Sequence, residues 1–170
     1  MPRKPATRRV ITVLLDEYRR AIADLIARIE PVSPSRLAAI ADPSTRDKDC
    51  VSIQSVLTHV VHCGYRYLRM MDEHLGDSRV EKPVRVQLAK VSEYQLALEK
   101  LADDTEAFFA SLDDKHMVAY DPKKKIKTSW GQYYDFEQLM EHAIVHVLRH
   151  RYQIEAFMAA QRAKRVAGAR

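Results

Sequence analysis

The chain has little of what β-sheet, membrane or disulfide-stabilised proteins need. Its 170 residues include 4 Gly and 7 Pro, too few turn residues for an all-β sandwich. No apolar run approaches the roughly 20 residues that cross a bilayer, and acidic residues end the run at 10–15 before it reaches signal-peptide length. The two cysteines, Cys50 and Cys63, provide no disulfide framework and suit a reducing compartment. We therefore expect one domain over residues 1–170, located in the cytoplasm and not in a membrane.

Several catalytic signatures are also missing. No glycine-rich phosphate loop occurs, and no Ser–His–Asp arrangement can be identified. The stretch from His142 to His146 lacks the Glu of a His-Glu-x-x-His zinc protease. The apolar faces of the helices predicted below contain no Asp or Glu. This absence excludes a carboxylate-bridged di-iron bundle and a hydrolase built on paired carboxylates.

The excess of positive charge lies at the two ends of the chain. Residues 1–9 and residues 162–170 each carry four Lys or Arg and no acid, so removing these eight charges changes the net charge from +5 to −3. We interpret both ends as basic tails of the domain. Such tails attract polyanions, but they usually serve solubility, and we do not expect nucleic acid as a partner.

Four segments repeat apolar residues at steps of three and four, which is the pattern of amphipathic helices. The predicted helices span about residues 11–29, 52–75, 91–112 and 136–165. Gly76 suits the C-terminal end of the second helix, and Asp135 with Gln138 suits the N-terminal cap of the fourth. The intervening segments are polar and mostly contain proline. The pattern predicts an all-α protein, a four-helix bundle with long connections after the first and third helices.

The histidines of the second and fourth predicted helices face different directions. At 100° per residue, His146 and His150 lie in the centre of the apolar arc of the fourth helix, and His142 lies at its border. On the second helix, His59 lies at the edge of the apolar arc, whereas His62 lies in the middle of the polar face. His59, His146 and His150 are therefore the imidazoles that can face the core.

Two imidazoles at positions i and i+4 point the same way and suit adjacent ligand positions on one metal ion. A third imidazole from a facing helix would complete a three-nitrogen face with open positions, as in catalytic rather than structural sites. Alternatively, the buried histidines hydrogen-bond to neighbours without a metal. Cys63, one turn after His59, suits either a fourth ligand or a small core residue.

Two blocks of the sequence resemble the DinB-like (YfiT-like) superfamily. The block Ser-Ile-Gln-Ser-Val-Leu-Thr-His at 52–59 is similar to the family's second-helix block, and His-x3-His-x3-His-Arg-x-Gln-Ile at 142–154 is similar to its fourth-helix motif. The resemblance implies an up-down-down-up bundle, often a homodimer. It also implies a divalent ion, commonly zinc or nickel, bound by His59, His146 and His150.

The resemblance leaves the reaction open. Some relatives are transferases or isomerases that use low-molecular-weight thiols such as bacillithiol or mycothiol. We therefore expect a metal-dependent transferase or hydrolase acting with a small thiol or electrophile; the alternatives are a non-catalytic metal-binding protein and a helical interaction module. Tyr152 stands where the family usually has Gly, and no Trp precedes Ser52. No catalytic residue can be assigned, although Gln153 is positioned to orient a ligand or to pack against the first helix.

Overall fold

The computed structural model describes residues 9–168, with side chains through residue 163. Its helices are α1 (Arg9–Ile29), α2 (Pro34–Ala38), α3 (Ile53–His74), α4 (Val91–Phe109) and α5 (Phe136–Gly168), and its two short strands are β1 (Ile126–Lys127) and β2 (Tyr133–Tyr134). Single 3-10 turns occur at Lys48–Cys50, Asp114–His116 and Pro122–Lys124. The four long helices confirm the predicted all-α bundle. Most of the predicted basic tails lies outside the described residues.

The predicted N-terminal ends of α3 and α5 are stabilised by reciprocal capping hydrogen bonds. The backbone N–H of Ser55 donates to Ser52 Oγ at 3.1 Å, and the backbone N–H of Ser52 donates to Ser55 Oγ at 3.0 Å. Asp135 and Gln138 form the same reciprocal pair at the start of α5, with distances of 3.0 and 3.2 Å. Each pair satisfies N–H groups that the first turn of a helix leaves without partners.

The direction of α5 follows that of α1. Asp24 pairs with Arg151 at 3.1 Å, and one turn further along both helices Arg28 pairs with Glu155 at 2.8 Å. Because both partners advance together, α1 and α5 run parallel. α1 also packs against α4, and α3 packs against both α4 and α5. α1 and α3 therefore occupy diagonal corners of the bundle.

α3 runs opposite to α5, since His59 near its start contacts His146 whereas His74 at its end contacts Phe136. The order of the four long helices is thus up, down, down, up, because the contacts described next make α4 parallel to α3. This order matches the topology that the family resemblance implies.

α3 and α4 are parallel neighbours. The Thr58 hydroxyl lies 2.5 Å from the Tyr94 hydroxyl, and Tyr65 further along α3 donates to Asp104 further along α4 at 2.7 Å. The connection at residues 75–90 must therefore return along the bundle, about 28 Å for the 19-residue α4. This connection is long as well, in addition to the two that the sequence predicted.

Asp72 fixes the start of the connection at residues 75–90, which is called the return segment below. It is an exception to the expectation that the apolar helix faces contain no acid. Its side chain is fully buried near the end of α3, where it accepts from Arg79 Nε at 3.1 Å and from the backbone N–H of Val80 at 2.8 Å. The carboxylate thus stabilises a chain reversal, at the opposite end of α3 from His59.

The segment before α5, predicted as a loop, contains a small hairpin. Ile126 pairs with Tyr134 and Lys127 pairs with Tyr133, and the turn between them contains Gly131 at a φ of +88°. This positive φ favours glycine because it has no Cβ. Strands of two residues are too short to show the alternation by which sequence patterns reveal strands.

The core contains the apolar stripes of all four long helices. Gly64 of α3 packs directly on the Leu101 side chain of α4, and a Cβ at this position would overlap the Leu101 methyl groups. The glycine therefore allows the two helices to approach closely. Among the described helices, none is both long and apolar enough to cross a membrane.

We predict that Leu98→Ala lowers the free energy of unfolding by about 2–5 kcal/mol, because Leu98 has no exposed surface and its loss leaves a cavity. Leu96→Ala on the same helix is the matched control, since Leu96 is 66% exposed and should change stability by less than about 1 kcal/mol. Urea unfolding measures both. Equal losses in the two variants would contradict the placement of the core.

Candidate metal centre

Three imidazole nitrogens converge between α3 and α5. His146 Nε2 lies 3.0 Å from His59 Nε2 and 3.2 Å from His150 Nε2, and one nitrogen of each ring lies within 4.8 Å of the others. His146 and His150 are buried, whereas the His59 side chain keeps 20% of its exposure. The structure therefore brings together the three histidines that the sequence selected, with one edge of the group open to solvent.

The two spacings that involve His146 Nε2 fit one metal ion. Two nitrogens bonded to an ion at 2.0–2.1 Å are about 2.9 Å apart at a right angle and about 3.3 Å apart at a tetrahedral angle. The observed separations of 3.0 and 3.2 Å lie within this interval. A set of three imidazoles suits zinc and nickel, among other divalent ions.

The outer nitrogens of two rings are bonded in a way that directs lone pairs inward. His59 Nδ1–H donates to Asp49 Oδ2 at 3.0 Å, and His150 Nδ1–H donates to Gln153 Oε1 at 2.9 Å. Because both Nδ1 atoms carry the proton, the Nε2 atoms of these rings present lone pairs to the centre. Hydrogen bonds of this kind are typical of metal-ligating histidines.

Asp49 is itself held by Arg85, which belongs to the return segment between α3 and α4. Both guanidinium Nη atoms contact the carboxylate, and the Nη2–Oδ2 distance is 2.9 Å. Chiefly through this hydrogen bond, Arg85 lowers the pKa of Asp49. The carboxylate is therefore ionised at neutral pH and remains an acceptor for His59.

The two buried rings are neutral in the metal-free protein. Burial is the main cause that lowers the pKa of His150 to about 4 and that of His146 to about 2, and the neighbouring imidazoles lower both further. A metal ion binds the neutral form of imidazole, so protons compete weakly for these two rings at neutral pH.

A model of the DinB family matches residues 14–161 of the chain, which include all three histidines. The chain belongs to the DinB family. Searches of curated proteins and of solved structures gave no match.

Cys63 lies beside the centre of this DinB protein without belonging to the group. Its Sγ is 3.6 Å from His59 Nε2, but the set of mutually close ligand atoms comprises the three histidines alone among the described residues. Burial raises the pKa of the Cys63 thiol. Of the two interpretations of Cys63, a small buried core residue fits these observations better than a fourth ligand.

His142 and His62, which the helical pattern placed at the border of an apolar arc and on a polar face, lie outside the group. His142 stacks on Trp130, with ring centroids 5.1 Å apart, and its ring centroid is 6.2 Å from that of His146. His62 is half-buried rather than exposed as its position on a polar face suggested, because the segment containing Lys82 and Pro83 covers that face of α3.

An aromatic wall, formed by Trp130, Tyr134, His142 and Tyr67, borders the centre. The ring centroids of Tyr134 and His142 are 5.7 Å apart. Tyr67 presents its edge to His142 and to His146, with centroid distances of 5.5 and 5.7 Å. Trp130 reaches this position because the β1–β2 hairpin folds over α5, and it remains 40% exposed. Sequence reasoning missed Asp49 and Trp130 because both lie in connections, outside any periodic pattern.

We predict that Asp49→Asn weakens the affinity for Zn²⁺ about 10- to 100-fold, the usual effect of losing a carboxylate that orients a ligand histidine. Glu99→Gln is the matched control, since Glu99 is an exposed acid of α4 without an ion pair among the described residues. Competition with a chromogenic chelator measures both affinities. Equal affinities in the two variants would contradict the role of Asp49.

We also predict that the metal-free protein loses stability as the pH falls from about 6.5 toward 5. In this interval the unfolded chain protonates its histidines, with a pKa near 6.5, whereas folded His146 and His150 stay neutral. Above about pH 6.5 both states are neutral and the effect disappears. Urea unfolding at several pH values between 7.5 and 5.5 gives the free energy of unfolding at each pH. This free energy should fall more steeply with decreasing pH for the native chain than for the double variant His146→Leu/His150→Leu. The same pH dependence in both proteins would contradict the burial of neutral rings.

Proposed function

We propose that this DinB-family protein binds one divalent ion, zinc or nickel, through His59, His146 and His150, and uses it for the reaction of a low-molecular-weight thiol with an electrophile. The convergence of three Nε2 atoms, two of them with the tautomer set by Asp49 and Gln153, carries the proposal. An ion bound there lowers the pKa of a coordinated thiol, so that thiolate forms near neutral pH.

The charges around the centre favour an anionic ligand. Arg66 and Arg85 lower the pKa of the Cys63 thiol against the larger opposing effect of burial and that of Asp49, and Arg149 lowers the pKa of His146. A small thiolate that approaches the open edge at His59 would meet the same positive field.

The aromatic wall provides the second half of the proposed site. Its exposed member, Trp130, stacks on His142, and His142 in turn stacks on the ligand His146. Trp130 thus offers a flat apolar surface near the proposed ion. We propose that the electrophilic substrate packs there, because aromatic faces bind planar or apolar groups at small entropic cost.

Hydrolysis is the alternative reaction within this proposal. Among the described carboxylates, Asp49 alone hydrogen-bonds a histidine of the group, and Arg85 occupies it. No free carboxylate base is therefore at hand, but an ion held by three imidazoles would itself lower the pKa of a bound water toward neutrality, as it would that of a thiol.

Two further expectations belong to the proposal. A small-thiol reaction suits the reducing cytoplasm, and both cysteines are free. A homodimer follows from the family resemblance.

The first experiment measures metal content in protein purified without an affinity tag. We predict one equivalent of Zn²⁺ or Ni²⁺ by mass spectrometry, and a sharp loss of occupancy in His59→Ala, His146→Ala and His150→Ala. His142→Ala should keep the ion. Circular dichroism should show the same helical content in all four variants.

Occupancy that survives the three single changes, or that is lost in His142→Ala alone, would contradict the assigned ligand set. A protein with no affinity for either ion would leave the interaction module as the remaining function.

The second experiment tests the reaction. The metal-loaded protein should accelerate the substitution reaction of small thiols with an aromatic electrophile such as 1-chloro-2,4-dinitrobenzene, in which the thiolate displaces chloride, and a chelator should abolish the acceleration. Trp130→Ala should raise KM for the electrophile more than it lowers kcat. A protein that binds the ion but does not accelerate the reaction with any small thiol would favour the non-catalytic alternative.

A further inference from the structure

A second cavity, away from the three histidines, lies between α3 and α4. It has a volume of about 780 Å³, within the range of small-molecule sites. Residues 79–88 of the return segment cover it from one side. Its lining combines the apolar residues Val61, Leu68, Val84, Val86, Ala97 and Phe108 with charged residues, which are Arg79, Glu81, Lys82, Lys100 and Asp104.

The return segment is held in place over this cavity. Gln54 Nε2 donates to the Leu88 carbonyl at 2.7 Å, and Arg69 Nη1 donates to the Val80 carbonyl at 2.9 Å. The buried Asp72 fixes the Val80 end as described above. Because both ends of the segment are bonded to α3, the cavity exists before any ligand enters.

A more polar cavity of about 550 Å³ adjoins the first one. The two share His62, Lys82 and Pro83 in their linings, so they lie on either side of a common rim. The polar cavity also contains Arg66 and Lys127. Together the two cavities form one amphipathic cleft, apolar toward α4 and basic toward the hairpin.

The basic end carries positive charge without a counter-charge. Within residues 9–163, no carboxylate lies at ion-pair distance from Arg66, Lys82 or Lys127, whereas Arg69 in the same cavity pairs with Glu73 at 2.7 Å. Three uncompensated cations around one concave surface repel each other and favour an anion.

His62 provides an independent sign of a missing polar partner. Its Nδ1 is buried at the common rim and has no hydrogen-bond partner among the described residues. A buried polar atom without a partner costs free energy.

We propose that this cleft binds a small organic anion with an apolar body, the body between α3 and α4 and the anionic head among Arg66, Lys82 and Lys127. None of the three histidines of the metal centre lines either cavity. The proposal therefore does not depend on metal binding or on the thiol reaction.

Calorimetric titration with decanoate tests this proposal, with decanol and decyl phosphate as companion probes. One equivalent of decanoate should bind at least tenfold more tightly than decanol, equally in metal-free and zinc-loaded protein. Tighter binding of decyl phosphate than of decanoate would support the site and assign a phosphate head. Binding that appears only in the zinc-loaded protein, or decanol binding as tightly as decanoate, would overturn the proposal.

Two variants and one control variant locate the ligand. Lys82→Gln/Lys127→Gln should weaken decanoate binding at least tenfold and reduce its salt dependence, whereas Lys123→Gln/Lys124→Gln, two exposed lysines outside the cleft, should leave both unchanged. Ala97→Trp should block the apolar end and abolish binding, while unchanged circular dichroism shows that the variant is folded. Equal effects of the two lysine pairs would overturn the assignment of the anionic head.

Discussion

The approach of His59 Nε2 and His150 Nε2 to within 3.0 and 3.2 Å of His146 Nε2, inside a helical bundle, is the constraint on which the candidate site depends. Without an ion, the Nε2 lone pairs of His59 and His150 both face His146 Nε2, whose single N–H donates to one of them and leaves the other without a hydrogen bond. The side chains around them do not relieve this cost, because Asp49 and Gln153 hold the outer nitrogens of His59 and His150 and thereby keep the lone pairs inward. A positive ion at the centre is the partner that such an arrangement accommodates.

The topology makes this arrangement possible and also leads to the second site. α3 begins after its cap at Ser52 and runs antiparallel to α5, which places His59 opposite His146. Since α4 then runs parallel to α3, the return segment has to travel along the bundle. In doing so it brings Arg85 to Asp49 near the metal centre, and it covers the cavity between α3 and α4.

The parts of the structure encoded by local patterns could be predicted from the sequence. Helical periodicity located the four long helices, and the i, i+4 spacing with the apolar arc located His146 and His150. His59 needed more than its wheel position, since periodicity does not say which helices face each other, and the family resemblance supplied that pairing. Asp49 and Trp130 could not be predicted, because each lies in a connection whose path depends on the packed helices. The burial of His62 also escaped prediction, since a distant segment covers it.

Zinc X-ray absorption of the metal-loaded protein tests the central claim most directly, because it reports the atoms bonded to the ion. The account predicts a first shell with three imidazole nitrogens at about 2.0–2.1 Å, oxygen atoms from solvent or buffer in the open positions, and no sulfur. The imidazole scattering should decrease by one ring in His59→Ala protein reloaded with zinc. A sulfur shell at about 2.3 Å would place Cys63 or Cys50 on the ion and contradict the account, and so would a first shell without imidazole scattering.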